Sequence, residues 1–381
     1  MAGVFLAFVA GEASGDLLAA PVIGALRDRL PQPRFAGIAG DRMTAAGCEA
    51  WHHIRELSVR DYAEVITELP RLLRLRAGLR ARLLRERPAV YVGVDAPDFN
   101  LRLEMQLRAA GIPTVHYVSP SIWAWRGGRI EKIRRAAGRV LLVFPFEQKI
   151  YDDAGIAATY VGHPLASQIP LQPDPGAARA RLGLPAGPCI AVLPGSRRAE
   201  VAHIGPAFFS ATELLAAREP GLVFAIPAGD AGLRAQIEAL LATRPRTCER
   251  ARITDGDSHA CLEAADAVLV ASGTATLEAA LYKKPMVIAY RMPRASAWIM
   301  RGIGGYLPYV GLPNILAGEF LVPELLQEAA TPEAIAAAMF EQLNDDARRR
   351  MLARRFAEMH DRLRRDTPAL AAEAIIATMK R

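Results

Sequence analysis

One alternation, run through twice, constrains the fold of this 381-residue chain more than any single motif. Short apolar or β-branched segments occur at Val4–Val9, Arg34–Ile38, Ala89–Val94, Thr114–Val118, Arg139–Val143 and Thr159–Val161. Stretches with helical spacing, such as Leu17–Leu30 and Leu69–Glu86, lie between them. Strand, helix, strand repetition implies parallel pairing, because a parallel neighbour is reached only by a crossover connection. Between Gly162 and Pro188 the texture changes, with Pro164, Pro170, Pro173, Pro175, Pro185 and Pro188 crowded together. Such proline density marks a linker. The alternation then restarts at Cys189–Leu193, Leu222–Ile226, Ala267–Val270 and Met286–Tyr290. The expected fold is α/β: two doubly wound Rossmann-like domains facing across a cleft. The expected divisions are residues 1–165, a linker at 166–188, a second domain at 189–345 and a helical segment at 346–381. Pro332–Lys380 reads as helical throughout, packing back on the N-terminal domain or on a partner subunit.

Composition narrows the class. Hydrophobic residues make up 51% of the chain and charged residues 23%, near the globular average of ~25%. The net charge is +7, from 47 Lys and Arg against 40 Asp and Glu. That excess favours an anionic partner: phosphates, nucleic acid or an anionic membrane face. No zinc spacing or RNA-binding motif accompanies it, so nucleic acid is the weakest of the three. Cys48, Cys189, Cys248 and Cys261 are scattered without CxxC spacing. They read as reduced packing residues of a cytosolic protein. Met1–Ala10 is apolar but short and meets a turn at Gly11–Asp16, so it reads as a first strand, not a signal peptide. No apolar run reaches 18 residues; Ala297–Ala317 is broken by Arg301 and by Gly and Pro.

Three loops at strand ends carry chemistry. In Tyr91–Asn100 an apolar strand runs straight into Asp95 and Asp98 around a proline turn. Ligands of open α/β sheets sit beyond the carboxyl ends of strands, where an aspartate is placed to act as a general base. Asp beside Pro is also ordinary turn chemistry. Leu193–Glu200 contains Gly195, Ser196, Arg197 and Arg198 between a strand and a helix. Gly195 and Ser196 allow close backbone approach, the helix N-terminus offers N–H groups to an anion, and Arg197 adds a bidentate fork. It is not a Walker A loop, since no Gly-Lys-Ser/Thr follows. Val270–Glu278 repeats the arrangement with Ser272, Gly273 and Thr274, and Glu278 lies one turn further in, where it can accept from a ribose diol. Alternatively, Ser272 or Thr274 merely caps the helix. Asp255-Gly256-Asp257 has the Asp-x-Asp form of a metal pair. Asp257 or Ser258 as an N-cap and Gly256 as a turn residue explain it as well. No metal ligand and no cofactor is assigned.

Other features stay open. His116, Trp123, Trp125 and Arg126 cluster after a strand, either to stack on a sugar or acyl chain or to plug the core. His52 and His53 read as solvated loop residues, and His163 as a hinge residue. Arginines 71, 74, 76, 80, 82, 85 and 87 stud one helix with Leu72, Leu75, Leu79 and Leu83 at core spacing. That is a solvated basic face or a docking surface for anionic headgroups.

Taken in order, Gly11–Asp16, Gly93–Asn100, His116–Arg126, Leu193–Glu200, Ala271–Glu278 and Leu312-Pro313-Asn314 closely resemble the lipid-A-disaccharide synthase family. The resemblance runs from Gly11 to the C-terminal helix. It implies a two-domain, metal-independent glycosyltransferase of the GT-B type. Such an enzyme joins UDP-2,3-diacylglucosamine to 2,3-diacylglucosamine 1-phosphate (lipid X), giving the β-1,6-linked lipid A disaccharide and UDP. It further implies Asp95 as catalytic base, Glu12 and Ser14 near the reaction centre, and Arg197, Glu278 and Asn314 on the nucleotide-sugar side. With two lipid substrates, the implied workplace is the cytoplasmic face of the inner membrane, reached peripherally, with a homodimer left open. The chain departs from the family pattern at Arg198, where Gly is usual, and at Asp61-Tyr62, where Met-Gly is common. The remaining alternatives are a UDP-sugar epimerase of the same architecture and a non-catalytic binder of UDP-sugars or anionic lipid.

Overall fold

A computed structural model describes residues 3–57, 62–122, 128–293 and 308–379, without the side chains of 62–67. Trp123, Trp125, Arg126 and Asp61 lie outside the described residues. So does part of Ala297–Ala317.

The chain divides into two units, Met1–Pro164 with Leu363–Arg381, and Leu165–Arg362. The first holds a seven-stranded sheet: β1 (Phe5–Ala10), β2 (Arg34–Ala39), β3 (Cys48–His53), β4 (Val90–Val94), β5 (Thr114–Tyr117), β6 (Arg139–Leu142) and β7 (Ala158–Tyr160). Its order is β3-β2-β1-β4-β5-β6-β7, and the pairs are parallel. β4 is buried along its whole length, which is why it reads as an unbroken apolar run and not as an alternation. The second unit holds six strands: β8 (Cys189–Leu193), β9 (Val223–Ala228), β10 (Ala251–Asp255), β11 (Ala267–Val270), β12 (Met286–Tyr290) and β13 (Glu324–Leu326), in the order β10-β9-β8-β11-β12-β13. Phe208, Phe209 and Phe224 centre its core, each fully buried. Burial of this kind stabilises by about 1.5–3 kcal/mol per side chain.

Three strands went unread in the sequence: β3, β10 and β13. Each is a sheet edge with intermediate or exposed positions. A strand buried on neither face needs no apolar run, so composition does not betray it. His52 and His53 are accordingly strand residues, not loop residues, and face Glu56 at 3.1 Å and Asp41 at 3.3 Å.

The C-terminal stretch is helical, as three helices: Pro332–Asn344, Asp346–Leu363 and Thr367–Met379. The last packs on the Ala13–Arg27 helix of the first unit. Within the proline-crowded stretch lie two short helices, Pro164–Gln168 and Pro175–Leu182. His163 sits beside this stretch. Its N–H donates to the Leu363 carbonyl at 2.9 Å, and burial lowers its pKa to about 4. Among the described residues no helix is long and apolar enough to cross a membrane. The cysteines are unpaired, and burial pushes the thiols of Cys48 and Cys189 up to about 12.

Candidate functional site

In each sheet the strand order reverses at one place, between β1 and β4 and between β8 and β11. Crevices for ligands open at the carboxyl ends of such strand pairs. The residues singled out by sequence fall at these two edges.

In the first unit Ala10 of β1 lies opposite Val94 of β4. Beyond Ala10 come Gly11 and Glu12; beyond Val94 come Asp95 and Ala96. The two turns touch: a Cβ on Gly11 would stand 2.2 Å from the Ala96 Cβ, so only glycine fits. Asp95 and Ala96 both hold left-handed backbone, at φ +55° and +43°. That conformation costs roughly 1–2 kcal/mol per residue and persists only where neighbours enforce it. Asn100 is the enforcer. Its fully buried amide donates to the Asp95 carbonyl at 2.8 Å and reaches the carbonyls of Val9 at 3.3 Å and Val94 at 3.4 Å. The Tyr91 hydroxyl donates to Asn100 Oδ1 at 2.7 Å, and the Asp95 N–H donates to Tyr117 O at 2.9 Å.

The half-buried Asp95 carboxylate is left with one partner, the Ala96 N–H at 2.8 Å, and no cation among the described residues. Glu12 and Ser14 are exposed at the same edge, and Glu12 precedes the Ala13–Arg27 helix without capping it. Asp98 points elsewhere, exposed and paired with Arg129 at 2.8 Å. Asp16, from the same motif as Glu12, is structural: its buried carboxylate accepts the N–H groups of Gly40, Arg42 and Met43.

Beneath this edge lies a pair that sequence reading half missed. Glu104 Oε1 and His116 Nδ1 are 2.7 Å apart and both side chains are fully buried. Burial raises the Glu104 pKa against the opposing pull of His116. A Cβ on Gly93 would stand 2.2 Å from Glu104 Oε1, so the glycine of the motif exists to admit this carboxyl. Nothing in the sequence joins Glu104 to His116; only adjacent strand and helix packing does.

In the second unit the loops after β8 and β11 line a cleft of ≈ 540 Å³ with Gly195, Ser196, Arg197, Ser272, Gly273 and Thr274, closed at one side by Glu278. Gly195 (φ +131°) and Gly273 (φ +132°) hold conformations that other residues rarely adopt. The two helix starts differ. At the first, the Glu200 carboxylate accepts the N–H groups of Ser196 at 3.0 Å and Arg197 at 3.2 Å. The expected free donors there are therefore occupied by the helix's own third residue, as in a capping box. At the second, Gly273 precedes the Thr274–Leu281 helix with no side-chain cap. Neither Ser272 nor Thr274 caps it, and its N-terminus stays available to an anion. The Arg197 side chain is 80% exposed, 3.9 Å from Glu200.

Glu278 is 17% exposed and faces His259 at 3.9 Å. Burial raises its pKa; His259 opposes that. His259 and Glu200 had no sequence signal beyond lying near named loops. Asn314 needs correction as a direct contact. Its amide is fully buried, donating to Val322 O and Glu324 Oε1 and accepting from the N–H groups of Leu321 and Val322. It fastens the turn whose next link is the Leu312 N–H on Thr276 Oγ1 at 3.3 Å. Asp257 caps the Ser258–Ala264 helix, Gly256 is a left-handed turn residue, and Asp255 meets Arg234 at 2.6 Å.

The model of a family described as lipid-A-disaccharide synthetase matches residues 6–375. A lipid-A-disaccharide synthase of Burkholderia lata is 56% identical over 377 residues, covering 98% of this chain and 96% of the relative. The chain belongs to the lipid-A-disaccharide synthetase family. Solved structures share the fold at far lower identity. A glycosyltransferase from Rickettsia africae matches with a TM-score of 0.61 at 11% identity, covering 99% of this chain and 98% of that one. A UDP-GlcNAc 2-epimerase from Neisseria meningitidis, bound to UDP-GlcNAc, matches at 0.58 and 12%, covering all of both chains. Two parallel α/β sheets with these neighbours make the architecture GT-B.

Proposed function

We propose that this chain makes the lipid A disaccharide by an inverting transfer, with Asp95 as the base and the second unit's cleft holding the UDP moiety. Membership of the family assigns the overall reaction. The finer reading rests on one observation: Asp95 is a carboxylate without a cation partner among the described residues, at the carboxyl edge of its sheet, on a backbone pinned by Asn100. A general base needs just that: a fixed position and a lone pair not spent on a cation.

The donor is UDP-2,3-diacylglucosamine and the acceptor 2,3-diacylglucosamine 1-phosphate. The acceptor 6-hydroxyl oxygen attacks the anomeric carbon of the donor. Its proton passes to Asp95, and the bond from that carbon to the diphosphate breaks, its electron pair leaving with UDP. Attack opposite the leaving group inverts the centre and gives the β-1,6 link. Arg197 and the uncapped N-terminus of Thr274–Leu281 stabilise the charge that develops on the diphosphate. Glu278 accepts from the ribose diol. No metal is called on.

For the lipid substrates, the surface we favour is the Tyr62–Glu86 helix. Leu69 and Leu73 are 49% and 41% exposed beside exposed Arg74, Arg80 and Arg85. Arg71 and Arg82 are spoken for, by Glu68 and Glu86, and Arg85, 4.0 Å from Glu86 and largely exposed, is held more loosely. Changing Arg74, Arg80 and Arg85 to Glu should abolish salt-sensitive sedimentation with anionic vesicles; unchanged sedimentation at every salt concentration rules this surface out. The reaction itself is tested by UDP release with each lipid alone and with both. Release only with both supports transfer. Conversion of the donor alone supports the epimerase reading, and no release supports a binder.

A further inference from the structure

The second sheet has another cleft, at the opposite end of its strands. It lies where Ala265–Asp266 leads into β11 and Pro285 leads into β12, and the Asp346–Leu363 helix closes it. Its volume is ≈ 440 Å³. Four cations line it, Lys283, Lys284, Arg349 and Arg350, against two carboxylates, Asp266 and Asp346. Both carboxylates are already engaged. Asp266 Oδ2 accepts from Arg179 at 2.6 Å and from the Cys189 N–H at 2.8 Å, and Asp346 lies 3.3 Å from Arg349.

Neither lysine makes an ion pair among the described residues, and the carboxylates that act on them, Asp361 on Lys283 and Asp266 and Glu263 on Lys284, pull more weakly than burial pushes. Lys284, only 8% exposed, donates to the Glu263 carbonyl at 2.8 Å. Lys283 donates to the Pro170 carbonyl at 3.1 Å and lies 2.8 Å from His360 Nδ1. Burial lowers the pKa of both to about 8. Lys283 also holds left-handed backbone, φ +59°, just after the Thr274–Leu281 helix, where glycine is the usual residue. Arg350 is exposed and makes no ion pair or hydrogen bond among the described residues. A concave site with one buried and one half-buried ammonium group and an exposed guanidinium is suited to an anion with several acceptor oxygens.

We propose that this cleft is a second anion site, taking a phosphate or phosphomonoester group, separate from the cleft that holds UDP. Lys284 and Lys283 form its floor and Arg350 its exposed fork. The inference does not depend on the transferase reading, because none of these residues belongs to either carboxyl edge. The phosphate can come free in solution or on a lipid headgroup.

The test is lysine acylation at pH 8, read peptide by peptide by mass spectrometry, on the full chain saturated with UDP so that the first cleft is filled. Inorganic phosphate should slow labelling of Lys283 and Lys284, and the Arg350→Ser variant should need about tenfold more phosphate for the same protection. Arg350→Lys should recover part of it. Vesicles containing phosphatidic acid, in phosphate-free buffer, form the second arm. Protection by vesicles alone assigns the lipid headgroup, and protection by soluble phosphate alone assigns the free anion. Labelling unchanged by both, or protection with the same midpoint in Arg350→Ser, overturns the site. Because Arg350 is exposed, its loss leaves the fold intact, and an unchanged melting temperature checks that.

Discussion

The two carboxyl edges are built in opposite ways. The edge of the first unit is a solid scaffold under the Asp95 carboxylate. Tyr91, Asn100, Glu104 and His116 are fully buried there and bonded in pairs, and two consecutive residues are held in left-handed backbone. The edge of the second unit is mostly space. Gly195, Gly273 and their small neighbours surround a cleft, and the one cation lining it among the described residues, Arg197, stands largely in solvent. A base must be fixed to within a fraction of an ångström of the proton it takes, so rigidity belongs with chemistry. A nucleotide is held by many weak donors that must be reached from solvent, so openness belongs with binding. Damage to the two edges should therefore separate into kcat and affinity.

The largest effect is expected at Asp95. Asp95→Asn keeps the shape and removes the proton acceptor, and kcat should fall by ~10²–10⁴ in a steady-state UDP-release assay. Turnover near the unaltered level would remove Asp95 from its role and erase the contrast. The next effect is at the phosphate loop. Arg197→Ala should weaken UDP binding about tenfold, the loss of one charge-assisted hydrogen bond. Its exposure argues against a larger loss. Arg198→Ala should change little; equal losses at both would make the loop a diffuse basic patch. Titration calorimetry reads both.

A smaller effect belongs to Glu278. Its raised pKa means that it protonates, as pH falls from 7, before an ordinary glutamate would. Only the ionised form accepts well from a diol, so UDP affinity should decline a few-fold on the acid side and be flat in Glu278→Gln. The sign for stability is opposite: a carboxyl raised by burial costs stability while ionised, and the cost is relieved as pH falls. Affinity that declines equally in the Gln variant would place the titrating group elsewhere. The smallest effect, none at all, is expected from excess EDTA. Activity lost on chelation and restored by Mg²⁺ or Mn²⁺ would return Asp255 and Asp257 to consideration as ligands.

How much of this was legible depended on burial. β4 and β8 are buried along their length and were read within a residue of their ends. β3 and β10 lie at sheet edges, carry residues such as Glu49 and Arg252, and left no pattern. The same holds at the sites. Asp95 and Arg197 announce themselves by standing in short motifs next to readable strands. Glu200 and Asn314 do not announce how they act, because both work by occupying backbone groups that the sequence leaves unnamed. Asn314 was placed on the nucleotide-sugar side by the family resemblance alone; its burial shows its polarity is spent inward. His259 came to Glu278 only through packing of two helices. The helical stretch read as Leu69–Glu86 ends where the helix does but begins at Tyr62, and Arg87, counted among its arginines, lies past the end with φ +46° ahead of Pro88.

The division of labour between the edges has one direct test: the dissociation constant of UDP for the Asp95→Asn chain, measured by titration calorimetry beside the unaltered chain. The expected result is a value within about twofold of the unaltered one, since loss of a positioned base leaves ground-state nucleotide contacts untouched. A loss of tenfold or more would mean that Asp95 holds the donor itself, and the separation of chemistry from binding would be contradicted.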